Sequence, residues 1–256
     1  MDPLSPGTLP YCGAPPAPGG VVWNADPILG AVLLAMAIPA LLHAGREGRI
    51  LPAAAGWSLL ALLLISPLCN LSVALFSARV LQHLLLTLVA APLIAMALPA
   101  RGRRQQVRGS AMVLAPLAFA LAFWLWHLPA PYAATFHSHA IYWVMQASLV
   151  ASAVWLWHVL LMEARHRAPA VIFSGIATAA QGGLLGALLT LAPRPLFAVH
   201  LGTTTAWGLT PLEDQQLGGL LMWVPGGMAF AGITLAAMAA MLRRDVREVA
   251  APRIRP

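Results

Sequence analysis

Residues 75–98, LFSARVLQHLLLTLVAAPLIAMAL, decide how the chain is read. The stretch is longer than the roughly 20 apolar residues that a bilayer core demands of a helix. Its ionisable residues, Arg79 and His83, gather near one end. The same grammar recurs along the chain. Apolar runs at 27–43, 52–68, 75–98, 111–128, 139–162, 169–191 and 216–242 predict an all-α bundle of seven transmembrane helices. Pro39, Pro92 and Pro225 lie inside runs, which membrane helices tolerate when neighbours satisfy the freed carbonyls.

Composition excludes the competing classes. Of 256 residues, 60% are apolar and 9% charged, and mean hydropathy is +0.78. A soluble domain of this size cannot hide that much apolar surface. Two cysteines are too few for an extracellular disulfide scaffold. A pI near 11.0 is often the mark of a nucleic-acid partner, but here the charge follows topology. All 15 basic residues are arginine. Arg46 and Arg49, then Arg101, Arg103, Arg104 and Arg108, then Arg165 and Arg167, and finally Arg243, Arg244, Arg247, Arg253 and Arg255 fall on one side of a seven-span bundle. Arg79 and Arg194 fall on the other. The positive-inside rule then places the N-terminus outside and the C-terminus in the cytoplasm. The lipid bilayer is the expected surroundings, and no nucleic acid is expected.

Three regions follow. Residues 1–26 form a Pro/Gly-rich, irregular outer segment without the basic and apolar regions of a cleavable signal peptide. Residues 27–242 are the membrane domain, and 243–256 a basic cytoplasmic tail.

Ionisable groups inside a membrane are costly and mark functional candidates. Arg79 and His83 share a helix face at i, i+4, with His83 about 10 Å in from the helix start. The structural alternative is that Arg79 snorkels to the outer interface and His83 bonds a neighbouring carbonyl. WLWHLP puts His127 at the outer rim, and a short loop carries His137 and His139 as HSH. Met145 and Gln146 descend the fifth helix to the depth of His83 and Gln82. Asp214 opens the seventh helix, followed by Gln215 and Gln216, with Gly218 and Met222 at four-residue steps. His, Cys and Met together suit copper. The candidate ligands are His83, His127, Met145, Cys12, Cys69 and His139, with Arg79, Gln82, Gln146, Asp214, Gln215, Gln216 and Met222 as supporting polar or flanking groups. Asp214 has two roles open to it, a helix cap or a group orienting a ligating histidine. Cys12 and Cys69 lie on the same oxidising side, so they read as a disulfide, as a thiolate pair for Cu(I), or as unrelated thiols, the first favoured. Most tryptophans sit where interfacial belts belong. The small residues of QGGLLGALL and LGG allow close helix approach.

FSARVLQHLLL with LVAAPLIAMALP, then WHLP, then TAWGLTPLEDQQLGGLLMWVPGG, resemble the signature segments of the CtaG family of cytochrome c oxidase assembly proteins. PYCG and SPLCNLSVALFSAR resemble a bacterial branch of it. The resemblance covers nearly the whole chain. It implies a seven-helix protein of the bacterial inner membrane, without enzyme activity, that assists assembly of a haem–copper oxidase. Copper delivery or copper-centre maturation is the implied role, and oxidase subunits or other assembly factors are the implied partners. His83, His127 and Asp214 match the family's polar signature. Arg79 stands where many members have histidine, and Met145–Gln146 where many have Glu-His. That leaves two options: Met145 and the cysteines complete a ligand set, or no metal is bound. A copper permease and a haem-binding bundle are the alternatives to an assembly factor. Against the permease, soft ligands thin out below Gln146 and Gln181; against acid–base catalysis, Glu213 and Asp214 are the sole outer carboxylate pair.

Overall fold

The computed structural model describes residues 9–99, 110–164 and 167–250, and every regular element among them is helical. Residues 9–26 are irregular. Asp26 then starts α1 (Pro27–Arg46) by accepting from the Ile28 N–H at 2.8 Å, an N-cap that satisfies one of the helix's free donors. α2 (Ile50–Ile65) returns antiparallel to it.

The expected run 52–68 is not straight. The chain bends by 49° between α2 and α3 (Pro67–Ala74). Pro67 forces Ser66 into an extended conformation, ψ 167°, which a continuing helix forbids. A second break at Leu75 starts α4 (Phe76–Leu85), which continues through a π-helical segment (Leu86–Ala90) into α5 (Ala91–Ala97). The widened π turn lies just before Pro92, whose ring would otherwise strike the carbonyl four residues back. The Trp157 indole donates to the Thr87 carbonyl there at 2.7 Å.

The expected run 111–128 is one helix, and the loop expected after it holds a second. α6 (Ala111–Trp126) ends at His127, and α7 (Pro129–His137) leaves at 72° across the end of the bundle. Pro129 acts as Pro67 does, with Leu128 extended. The HSH segment is therefore a helix junction and not a loop. His137 ends α7, Ser138 caps α8 (His139–Glu163), and His139 is its first residue. α9 (Ala168–Thr190) and α10 (Pro211–Ala250) form the most extensive helix pair. α10 starts before the expected 216 and runs through the first part of the expected tail.

Among the described residues, five helices are long and apolar enough to cross a bilayer, and counting each bent pair as one crossing brings the total to seven. Arg46, Arg49 and Arg167 lie at the end of the bundle opposite Asp26 and His139. Arg101, Arg103, Arg104, Arg108, Arg165, Arg253 and Arg255 lie outside the described residues. Large apolar side chains such as Val113, Leu121, Phe173 and Met228 point outward, as a lipid-facing surface requires.

Small residues set the spacing of the last pair. A Cβ on Gly186 of α9 would stand 2.8 Å from the Gly219 carbonyl of α10. One on Gly218 would stand 2.5 Å from the Phe76 ring, so α10 also lies directly against α4.

Candidate functional site at the capped end of the bundle

Asp214 belongs to the first turn of α10, yet it caps another helix. Its carboxylate accepts from the Phe76 N–H at 2.7 Å and the Ser77 N–H at 3.1 Å, and from the Ser77 hydroxyl. Leu75, the residue before α4, has no side-chain oxygen to do this. A negative group at the free N–H end of α4 is favoured by hydrogen bonding and by the helix dipole. Asp214 is fully buried, and its partners are these groups of α4 and not a histidine.

One turn into α4, Arg79 is 2% exposed. It does not snorkel to an interface, because α7 folds over it. Nη1 donates to the Thr135 hydroxyl at 2.7 Å, and the guanidinium lies 4.2 Å from the Phe136 ring centroid and 4.9 Å from that of Tyr132. Aromatic faces accept a cation in this way. Nε of Arg79 has no hydrogen-bond partner among the described residues.

His200 joins the same cluster from the connection between α9 and α10. Its Nδ1–H donates to the Ala74 carbonyl at 3.2 Å, so Nε2 is the acceptor for the Tyr132 hydroxyl at 2.7 Å. Burial, with the Arg79 charge second, pushes His200 down to about 3. Sequence reading did not place His200, Tyr132 or Thr135 in the site; their local sequences carry no spacing that points to it.

A further turn along α4, His83 faces His127 edge-to-face, ring centroids 6.1 Å apart. Both rings are buried. Nδ1–H of His127 donates to the Phe123 carbonyl at 2.6 Å, which leaves Nε2 as its bare nitrogen when neutral. Neither ring nitrogen of His83 has a hydrogen-bond partner among the described residues. Buried polar atoms are rarely left in that state.

Cys12 and Cys69 form a disulfide, Cα–Cα 5.5 Å, and so present no thiolate to a metal. The bridge ties residues 9–26 across the end of the bundle. Asn70 reinforces it, donating to the Cys12 and Ala14 carbonyls at 2.8 and 2.9 Å and accepting from Val22 N–H at 3.2 Å. Trp207 donates to Pro16 O at 3.0 Å. His139 is exposed, and its imidazole meets the Leu9 carbonyl at 3.0 Å and the Tyr11 ring edge-on, so it belongs to this strap. Tyr11 donates to Asp26; burial and that bond raise the phenol, and the same bond lowers the carboxyl. Asn70 was not singled out in the sequence, although it adjoins Cys69.

Met145 and Met222 are buried in the main apolar core. Gln82 donates to the Leu63 carbonyl at 2.7 Å. Gln146 donates to the Tyr142 hydroxyl at 2.9 Å, which stands 3.3 Å from Cys12 Sγ. Gln215 bridges the Leu196 N–H and the Leu189 carbonyl, at 2.6 and 3.2 Å. Gln216 is half-buried, its carbonyl 3.5 Å from the Thr190 hydroxyl. Among the described residues, no three His, Cys, Asp or Glu side chains gather as a metal site. The structure therefore brings together His83 with His127 and Arg79 with His200, and leaves Cys12, Cys69 and His139 in the strap.

The family model described as cytochrome c oxidase caa3 assembly factor (Caa3_CtaG) matches residues 29–244. The chain belongs to that family. No curated protein and no solved structure matches significantly. The matched span of this caa3 assembly-factor chain contains Asp214, Arg79, His83, His127 and His200. It starts after Cys12, so the strap's disulfide joins a residue outside the match to one inside it.

Proposed function

We propose that this assembly factor serves copper-centre maturation of a caa3-type oxidase from the outer face of a bacterial inner membrane, holding copper transiently as cargo at His83 and His127. The observation that carries the reading is the buried imidazole pair in which both nitrogens of His83 lack a partner among the described residues. Imidazole is a good copper ligand. His127, with Nδ1–H fixed on a carbonyl, offers Nε2. Two ligands are a weak set, and the Arg79 charge one turn away opposes a resident cation. Both features favour release over storage. The orientation rests on the arginine distribution, which puts the strapped end outside. The recipient is an oxidase subunit or another assembly factor, and the protein's part is not catalytic.

The test is Cu(I) titration of purified protein with the Cys12–Cys69 disulfide intact. Wild type is expected to bind Cu(I) weakly and reversibly, and His83→Ala, still folded, to bind much less. Unchanged copper in His83→Ala would remove this site from the reading. A deletion strain that makes oxidase subunits is expected to show lowered oxidase copper and activity.

A further inference from the structure

A permanent charge stands beside the imidazole pair. Arg79 and His83 lie one turn apart on α4. The Phe76 ring joins the two groups, with its centroid 6.4 Å from that of His127 and 5.6 Å from that of Tyr132, over which the guanidinium lies. The field of Arg79 acts on His83 and His127 alike. A guanidinium does not lose its proton in a protein. Water does not screen this one, because the residue is buried. Among the described residues no carboxylate forms an ion pair with it. Asp214, the buried carboxylate of this end, accepts instead from the Phe76 and Ser77 N–H groups.

Filling the space under α7 does not require this charge. Apolar residues of similar volume often replace buried ions without loss of stability. The neighbouring pair gives the charge a use. His83 and His127 pack against Phe123 and Phe76, and no third His, Cys, Asp or Glu joins them among the described residues. Neutral imidazoles cancel none of the charge of an ion they hold. Repulsion by Arg79 therefore doubles from a monovalent to a divalent ion, and the desolvation cost rises with the square of the charge. At an effective dielectric of 20 and a separation on the order of 10 Å, each unit of charge costs on the order of tenfold in affinity.

Resting on the copper reading above, we propose that Arg79 is the specificity-determining residue of the pair. Its charge admits a monovalent ion, Cu(I), and turns away Zn(II) and Cu(II).

The test titrates the full chain in chloride-free detergent solution at pH 6.5, disulfide intact, with Ag(I) as an air-stable monovalent probe and with Zn(II). Only binding lost in His83→Ala is counted. Wild type is expected to bind Ag(I), and Zn(II) about tenfold or more weakly. Arg79→Gln should tighten Ag(I) on the order of tenfold and Zn(II) on the order of a hundredfold, so that the preference shrinks about tenfold. Arg79→Lys, which keeps a cation there, should keep the wild-type preference, a result that lost packing alone would not give. Equal tightening of both ions in Arg79→Gln would overturn the proposal, as would Arg79→Lys admitting Zn(II) as Arg79→Gln does. Zn(II) binding as tight as Ag(I) in wild type would overturn it while leaving the imidazole pair as a metal site. Absence of any His83-dependent binding would remove the pair itself and the proposal with it. If Arg79→Gln does not fold, Arg79→Met, which retains apolar contact with Tyr132 and Phe136, takes its place.

Discussion

Asp214 and His200 show how single polar residues tie remote segments together. Asp214 caps α4 across a sequence separation of 138 residues at Phe76. Asp214→Ala leaves the first N–H groups of α4 buried without an acceptor, and is expected to cost about 1–3 kcal/mol. Thermal unfolding in detergent should show a clear loss, smaller for Asp214→Asn, whose amide oxygen still accepts. His200 predicts a pH dependence. Its folded value, about 3, lies below that of a free imidazole, so folding favours the neutral form. The contribution is fully present above about pH 6.5 and declines by about 1.4 kcal/mol per pH unit as pH falls towards 3. His200→Gln should flatten that part of the stability profile, and an unchanged slope would refute the assignment. At this scale the sequence marked Arg79 and His83, because polar groups in apolar runs stand out, and Asp214, because it opens a helix. It could not mark Thr135 or His200, which look like ordinary polar residues outside such runs.

At the scale of elements, proline placement decides the shape of the site. Pro67 bends an expected straight span by 49°, and Pro129 starts α7 at 72° to the end of α6, where a loop was expected. Both prolines were visible in the sequence, but a proline at a first helical position is compatible with continuing, kinking or turning. The 72° bend is what lays Tyr132 and Phe136 over Arg79. The glycine contacts were more legible, since QGGLLGALL and LGG are small-residue patterns in apolar context. Gly219→Leu is expected to push α10 from α9 and cost about 1–3 kcal/mol or more. Gly182→Ala, where a Cβ meets nothing within 4 Å, is the control and should unfold at the wild-type temperature. Equal unfolding of the two variants would mean that the α9–α10 contact does not set their spacing.

For the whole molecule, the arginines predict that the strapped end faces out. A phosphatase reporter joined after Asn24 should be active, and one joined at the C-terminus inactive, since that enzyme matures only outside the cytoplasm; the reverse pattern would invert the topology. The sequence by itself determined an apolar helical bundle of the membrane, its charge asymmetry and its family segments. Those follow from composition and local period, and a bilayer acts on each run separately. Only the tertiary structure decided which polar groups meet. Cys12 pairs with Cys69 at a separation of 57 residues, His200 reaches Ala74 across 126, and His127 faces His83. Such meetings depend on where helices bend and how closely they pack, and a hydrogen bond fails within a fraction of an ångström of misplacement. No residue spacing along the chain encodes that distance.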